Sequence, residues 1–126
     1  MSNASQMILV VDDEEVVRKL LADYLVALGH RVDAAENGES ALAALGAGSY
    51  DRAFVDIHMS GIDGYELMER IRDSWPQLRV CLMAGFPAPD LEDRSFGLGA
   101  AGALAKPFKL EEIDQFLEDT PAIVPI

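Results

Sequence analysis

Short apolar runs that alternate with helical patterns are the feature that most constrains the fold of this chain. Five runs, "MILVV", "RVDAA", "RAFVD", "RVCLMA" and "GALA", have the length and composition of strands. A helix-like stretch follows each run, and this strict alternation predicts a doubly wound parallel sheet with helices on both faces. The first, third and fourth runs are nearly all apolar, so we expect those strands to be central.

The helical stretches differ in how clear their apolar periodicity is. The first starts near Glu14, is stopped by Gly29, and has a stripe made of Val16, Val17, Leu20, Leu21, Tyr24, Leu25 and Leu28. "NGESALAAL" predicts a turn and a short second helix, and "LEDRSFGLGA" a weakly patterned fourth helix. The third helix ends at Pro76 and has apolar Tyr65, Leu67, Met68 and Ile71. The fifth runs from about Leu110 to Thr120-Pro121, with Ile113, Phe116 and Leu117 on one face.

The net charge of −12, from 22 acidic and 10 basic residues, restricts the partners of the chain. Binding nucleic-acid phosphates or an anionic membrane takes clustered Lys and Arg, so we expect neither. No apolar run approaches the roughly 18–20 residues of a membrane span. The single cysteine, Cys81, lies in an apolar run and is predicted to be a small buried core residue, which fits a reduced, cytoplasmic setting.

The two ends of the sequence differ in composition from the rest. Residues 1–6 form a polar leader without a basic side chain, which is unlike a signal peptide. Its first four residues, Met1-Ser2-Asn3-Ala4, resemble a remnant of cloning. Residues 7–120 are predicted to form one domain, a length that suits a single core. Residues 121–126, "PAIVPI", are interpreted as a tail or the start of a connector.

Charged residues stand at the ends of three predicted strands. Asp12 and Asp13 follow the first strand, Asp56 ends the third and Lys106 follows the fifth. Taken singly, Asp12 or Asp13 can cap a helix, Asp56 can start a turn, and Lys106 can be a solvated side chain. Because ligands bind at the carboxyl ends of the strands in such sheets, the four together predict a site at that edge.

Three neighbouring carboxylates need a neutralising partner. Mg²⁺ is an oxygen-preferring cation that uses one or two carboxylates together with substrate phosphate oxygens. A carboxylate beside such a metal can act as a nucleophile toward phosphorus and form an aspartyl phosphate. Lys106 can then pair with the incoming phosphoryl group, so the pattern favours phosphoryl transfer.

Four segments in this order resemble the receiver domains of two-component response regulators (the CheY-like superfamily) from about Met7 to Thr120: "VVDDE", "AENGESAL", "DIHMSGIDGYEL" and "LGAAGALAKPF". The resemblance implies a flavodoxin-like (βα)₅ fold with strand order 2-1-3-4-5. It implies that Asp56 is the phospho-acceptor and that Lys106 pairs with the phosphate. It implies that Asp13 binds Mg²⁺ directly, that Asp12 binds it through a water, and that His58 binds it by its backbone carbonyl. It also implies that the Lys106-Pro107 peptide is cis. The implied partner is a histidine kinase or a histidine phosphotransfer protein, with a possible output domain elsewhere and a monomeric or weakly dimeric state.

The sequence departs from the pattern of that family at its switch positions. Ala84 stands where the family usually has Thr or Ser, and Ala103 where it usually has Tyr or Phe. Ser60 replaces a common proline, which is a smaller change. One hydrogen bond to a charged group is worth roughly 1.5–3 kcal/mol, so its loss at Ala84 can remove most of a modest conformational bias. We therefore expect a domain that accepts phosphate but signals weakly or through another segment, such as "GFPAPD" or the fourth helix.

Three other functions compete with a switching receiver. A phosphate sink that drains a shared kinase needs no conformational switch. A docking module that is never phosphorylated is favoured by Ala84 but not by the retained acids and lysine. A dehalogenase-type phosphohydrolase also uses an aspartyl nucleophile and Mg²⁺, but it carries a second aspartate two residues later, where this chain has His58.

Overall fold

A computed structural model describes residues 5–118, in which five strands alternate with five helices. The strands are β1 Met7–Val11, β2 Arg31–Ala35, β3 Arg52–Asp56, β4 Arg79–Ala84 and β5 Gly102–Ala105. The helices are α1 Glu15–Ala27, α2 Gly38–Ala47, α3 Gly64–Ser74, α4 Leu91–Gly97 and α5 Leu110–Glu118. The predicted cloning remnant, the Thr120-Pro121 end of the last helix and the 121–126 tail lie outside the described residues.

The strands form one parallel sheet in the order β2-β1-β3-β4-β5. This confirms the predicted flavodoxin-like order and the central position of the three most apolar strands. Every residue of β3 is buried, whereas four of the five residues of the edge strand β2 are not. The apolar runs therefore mark the strands that are covered on both faces.

Successive side chains of each strand pack into two separate cores. Ile8, Val10 and Phe54 lie in one core with residues of α1 and α5, and the neighbouring positions Leu9 and Val55 lie in the other core with residues of the remaining three helices. Helices therefore cover both faces of the sheet, as the alternation predicts. Cys81 is buried and fully covered, as expected for a core residue, and burial raises the pKa of its thiol.

The apolar stripe of α1 is wider than the face that it buries. Leu21 and Leu25 are buried against the sheet, but Val16 is 79% exposed and Leu20 is 63% exposed. Gly29 ends the helix region with φ of +99°, a conformation that favours glycine. Val17 and Leu20 lie beside the charged residues described next, whereas Leu28, which is also exposed, follows the other end of the helix.

Candidate functional site

The carboxyl edge of the sheet brings the predicted charged residues together. β1 and β3 are neighbours, with Val11 opposite Val55, so Asp12 and Asp56 leave adjacent strand ends. β5 lies two strands away from β3, and the Lys106 side chain crosses the end of β4 to reach the carboxylates. Parallel pairing thus assembles a site from residues 94 positions apart in sequence.

Asp56 is the last residue of β3 and is 3% exposed. Its Oδ1 accepts a hydrogen bond from the His58 backbone N–H at 3.1 Å, and its Oδ2 lies 3.5 Å from Lys106 Nζ. Burial raises the pKa of the Asp56 carboxyl, and the hydrogen bond from His58 and the charge of Lys106 only partly oppose that rise. Asp56 is therefore a desolvated carboxylate with one oxygen held by the backbone.

Gly64 at the start of α3 keeps the segment after Asp56 close to the helix. A Cβ at this position would lie 2.5 Å from the backbone oxygen of Asp56 and 2.5 Å from Ile57 Cα. No side chain fits there without moving the backbone. Asp63 caps the start of this helix, because its side chain accepts from the Glu66 N–H at 2.9 Å.

Asp12 is fully buried and has both carboxylate oxygens occupied. Oδ1 accepts from the Glu14 backbone N–H at 2.9 Å, and Oδ2 accepts from Lys106 Nζ at 2.8 Å. Its backbone carbonyl accepts from Arg18 Nη1 at 2.7 Å. Asp12 thus bonds the N-terminal segment of α1 and also belongs to the site. Asp13, in contrast, is exposed.

Lys106 is the cation that balances these acids. Its Nζ contacts Asp12, Glu14 at 3.3 Å and Asp56, and its side chain is 12% exposed. Burial lowers the pKa of Lys106, but the hydrogen bond to Asp12 and the charges of Asp56 and Asp12 outweigh burial and raise it. The Lys106–Pro107 peptide bond is cis, and the Lys106 N–H donates to the Ala84 carbonyl at 2.8 Å.

Asp12, Asp13 and Asp56 each offer a carboxylate oxygen, and these three oxygens lie within 4.8 Å of one another. An all-oxygen set of this size suits Mg²⁺, which keeps several waters and takes few protein carboxylates. Asp13 is exposed and lines an open cleft, which leaves room for such waters. The residues present therefore fit the predicted ion.

A cleft of about 630 Å³ opens above the carboxylates. Its charged lining consists of Asp13, Glu14, Asp56 and Lys106. Its apolar lining consists of Val17, Leu20, Phe86, Pro107 and Phe108. This volume is in the range of small-molecule sites, so the cleft is far larger than a phosphoryl group requires.

Sequence comparison identifies the family. The response regulator receiver domain pattern matches residues 8–118. The chain belongs to the response regulator receiver domain family. It is therefore a signalling module of the two-component type, and its flavodoxin-like fold is the one that this family shares.

Two named relatives of this receiver domain are longer proteins. The domain is 35% identical over 102 residues to the response regulator protein FleR of Pseudomonas aeruginosa, covering 81% of the chain and 22% of FleR. It is 36% identical over 116 residues to the sensor histidine kinase RcsC of Salmonella typhi, covering 92% of the chain and 12% of RcsC. The chain thus spans less than a quarter of the length of these relatives.

A solved structure shows the same architecture. The response regulator TrrA of Thermotoga maritima, crystallised in complex with Mg²⁺-BeF, superposes with a TM-score of 0.81 at 34% identity. The match covers 90% of this chain and 96% of TrrA. Within residues 5–118, no helix of this receiver domain combines the length and apolar character that crossing a membrane requires.

The two switch positions lie at β4 and β5. Ala84 ends β4, is 1% exposed and pairs with Ala105 in the parallel register. Ala103 is half-buried and pairs with Leu82. Neither side chain carries a polar atom, so neither can donate a hydrogen bond toward the cleft of this receiver domain.

Sequence reasoning missed two contacts in the site, one made by Glu14 and one by the His58 ring. Glu14 contacts Lys106 and lines the cleft, although only its position after Asp12-Asp13 signalled it. His58 was predicted to act through its backbone, but its ring also packs against Phe86, with ring centroids 5.0 Å apart. Such contacts depend on where two loops meet, which a local pattern does not encode.

Proposed function

We propose that this receiver domain accepts a phosphoryl group from a phosphohistidine onto Asp56 with the help of Mg²⁺. The observation that carries the proposal is the cluster of Asp12, Asp13 and Asp56 oxygens within 4.8 Å, with Lys106 against two of the three acids. Such a cluster provides a nucleophile, a site for a hard cation and a fixed positive charge. These are the parts that phosphoryl transfer needs.

Each residue has a distinct part in this proposal. Asp56 attacks phosphorus, the bond from phosphorus to the donor imidazole nitrogen breaks, and the electron pair stays with that nitrogen. Lys106 moves its contacts from the acids to the phosphoryl oxygens and stabilises their charge. Asp13 would hold Mg²⁺ directly, Asp12 through a water, and His58 by its backbone carbonyl. When bound, the ion neutralises charge on the acids and the transferring group.

An apolar rim beside the acids supports a protein rather than a metabolite as donor. Leu20 projects from α1 at 63% exposure and Phe86 is 69% exposed, and both line the cleft. Pro107 and Phe108 continue this rim along the cleft. Exposed apolar clusters mark interaction sites, and we propose that a histidine kinase or a histidine phosphotransfer protein docks here.

The wider setting is part of the same proposal. The domain extends over residues 7–120, works as a monomer or weak dimer in the cytoplasm, and catalyses only its own phosphotransfer and dephosphorylation. The RcsC and FleR matches support linkage to kinase or output domains outside this sequence. The net charge of −12 argues against direct nucleic-acid binding by this domain.

The output of the domain is proposed to be atypical. A phosphoryl group on Asp56 meets a methyl group at Ala84 and finds no aromatic side chain at Ala103. A phosphate sink, which needs the transfer chemistry but no switch, is favoured by these two residues. A docking module that is never phosphorylated would share them but would not need Lys106 between Asp12 and Asp56.

Incubation with Mg²⁺ and acetyl phosphate, followed by intact mass, tests the proposal. We expect a gain of one phosphoryl group that is absent in Asp56→Asn and absent when EDTA replaces Mg²⁺. Asp51→Asn is a matched control, because Asp51 lies at the opposite end of β3 and bonds the Met7 N–H. No gain in the parent protein, together with no Mg²⁺ binding, would favour the docking module.

A further inference from the structure

A second cavity, of about 400 Å³, lies where α2 and α3 end. The segments that lead from these helices into β3 and β4 form its walls, and the buried side chains of Leu45 and Leu78 belong to its lining. It therefore lies at the amino edge of the sheet, whereas Asp56 ends β3 at the carboxyl edge. Its volume is in the range of ligand sites, and the proposed phosphotransfer uses none of its residues.

The ends of two helices give this cavity hydrogen-bond acceptors. Gly46 near the end of α2 and Ser74 at the end of α3 both line it. Within residues 5–118, no backbone N–H donates to the carbonyl of either residue. Pro76, two residues after α3, has no N–H to offer. Because the last carbonyls of a helix carry its partial negative charge, the cavity favours a cation that donates hydrogen bonds.

The residues around the cavity do not supply that cation. Its described lining contains no Lys, Arg or His side chain, and the last turn of α2 has no basic residue. Arg72, the basic residue in the last turn of α3, packs instead beside Gly99, where its Cδ lies 3.6 Å from the place of a Cβ. The partial charges of the two helix ends are thus available to a ligand.

Two half-buried aromatic side chains, Tyr50 and Trp75, also line the cavity. The Tyr50 hydroxyl donates to Asp33 Oδ2 at 2.7 Å, which fixes the position of its ring. A guanidinium group stacks on aromatic faces and donates several hydrogen bonds in one plane. An ammonium group is a compact and strongly hydrated charge, so it matches this combination of flat rings and carbonyls less well.

We propose that this cavity binds the arginine side chain of a protein partner. A free amino acid would also bring its carboxylate, which the helix ends would repel and for which the lining has no basic partner. An arginine within a polypeptide has no such carboxylate. Because the cavity and Asp56 lie at opposite edges of the sheet, this partner would leave the phosphotransfer cleft open.

The fluorescence of Trp75, the only tryptophan of the chain, reports binding directly. The protein is titrated at constant ionic strength with N-acetyl-argininamide, which carries the side chain without a free carboxylate. We expect a saturable change with a dissociation constant on the order of 1 mM, as suits a ligand of this size. N-acetyl-lysinamide should bind about fivefold more weakly, because its charge does not stack.

Gly46→Leu tests the place of binding. A Cβ at Gly46 meets nothing within 4 Å, so a larger side chain can occupy the cavity without displacing the helix, and we expect binding to weaken by about tenfold. Gly97→Leu is the matched control, because a Cβ at this helical glycine of α4 also meets nothing within 4 Å and lies outside the cavity. Gly97→Leu should bind like the parent.

Three results would overturn the proposal. Equal binding of the lysine and arginine compounds would show attraction of any cation to a chain of net charge −12. Unchanged binding in Gly46→Leu, or no saturable change in the parent, would exclude this cavity as an arginine site. Free arginine that binds as tightly as N-acetyl-argininamide would point to a small guanidinium compound rather than a protein side chain.

Discussion

Lys106 Nζ lies 2.8 Å from Asp12 Oδ2 but 3.5 Å from Asp56 Oδ2. The lysine is therefore held mainly by the fully buried acid and only loosely by the acid proposed to receive phosphate. Asp12 also accepts from the Glu14 N–H, which orients its carboxylate toward the lysine. This arrangement keeps one positive charge near Asp56 but holds Asp56 Oδ2 only loosely. A loosely held oxygen suits a carboxylate that must react.

Removal of that positive charge should destabilise the fold. Lys106→Met leaves Asp12 and Asp56 buried without their cation. We therefore expect the free energy of unfolding to fall by about 1–3 kcal/mol. The loss should be smaller than for a fully buried ion pair because the cleft admits water. Urea denaturation in EDTA at neutral pH measures the change. Lys109→Met is the control, because Lys109 is exposed just beyond the cleft, and a similar loss in both variants would contradict the argument.

Mg²⁺ should stabilise the protein through the same acids. At a concentration ten times its dissociation constant, an ion that binds only the folded state adds about 1.4 kcal/mol to the free energy of unfolding. Asp13→Asn removes one of the three clustered carboxylates, at an exposed position where folding loses little, so this stabilisation should shrink. Thermal denaturation with MgCl₂ against NaCl of equal ionic strength measures it. An undiminished Mg²⁺ effect in Asp13→Asn would place the ion elsewhere.

Gly64→Ala tests how the segment after β3 is held. The new Cβ would stand 2.5 Å from the Asp56 backbone oxygen, so we expect a loss of about 1–3 kcal/mol in the free energy of unfolding and slower phosphorylation of Asp56. Gly46→Ala is the control, because a Cβ at this helical position meets nothing within 4 Å. That variant should instead gain up to about 1 kcal/mol from helix propensity. Denaturation curves and phosphoryl uptake compare the two.

The strand ends could be predicted from the sequence because each apolar run stops at a charged residue. Alternation of strands and helices then implies parallel topology, which places Asp12, Asp56 and Lys106 at one edge. The preference of Lys106 for Asp12 could not be predicted, because it depends on the differing burial and backbone contacts of the two acids. The contact between His58 and Phe86 also arises only where two loops meet in space.

The α1 stripe shows a different limit. A helical period of apolar residues predicts a helix, but it does not say which of these residues the sheet covers. Leu21 and Leu25 are buried, whereas Val16 and Leu20 are exposed and Leu20 lines the cleft. Exposed apolar residues and core residues have the same composition in this stripe, and only the packed structure separates them.

His30 should make stability depend on pH at the opposite edge of the sheet. Its Nδ1 accepts from the Gln6 N–H at 3.0 Å, and burial, aided by the charge of Arg52, lowers its pKa. The unfolded chain therefore binds the proton more readily, so stability is lost as pH falls through the unfolded pKa of about 6.5 and levels off below the folded pKa. Urea denaturation between pH 7.5 and 5 measures the loss.

The control for that titration is His30→Gln, which cannot bind the proton. All other titrating groups are shared by the two proteins, so the difference between their pH profiles isolates His30. We expect the parent to lose more stability than His30→Gln on acidification. Parallel profiles would show that the imidazole titrates alike in the folded and unfolded states.

Restoring the missing hydroxyl should couple phosphorylation to structure. Ala84 is buried at the end of β4, one residue before the loop that leads to α4, and its carbonyl holds the Lys106 N–H. Thr at this position can donate to a phosphoryl oxygen on Asp56, and such a bond is worth roughly 1.5–3 kcal/mol, enough to shift a modest two-state bias by tenfold or more. Hydrogen exchange over Gly85–Gly97 should then change on phosphorylation in Ala84→Thr but stay the same in the parent.

Ala105→Thr is the control, since Ala105 pairs with Ala84 in the sheet but is exposed. A large protection change in the parent protein itself would mean that this receiver domain switches without the hydroxyl, and its output would then have to run through another contact of the phosphoryl group.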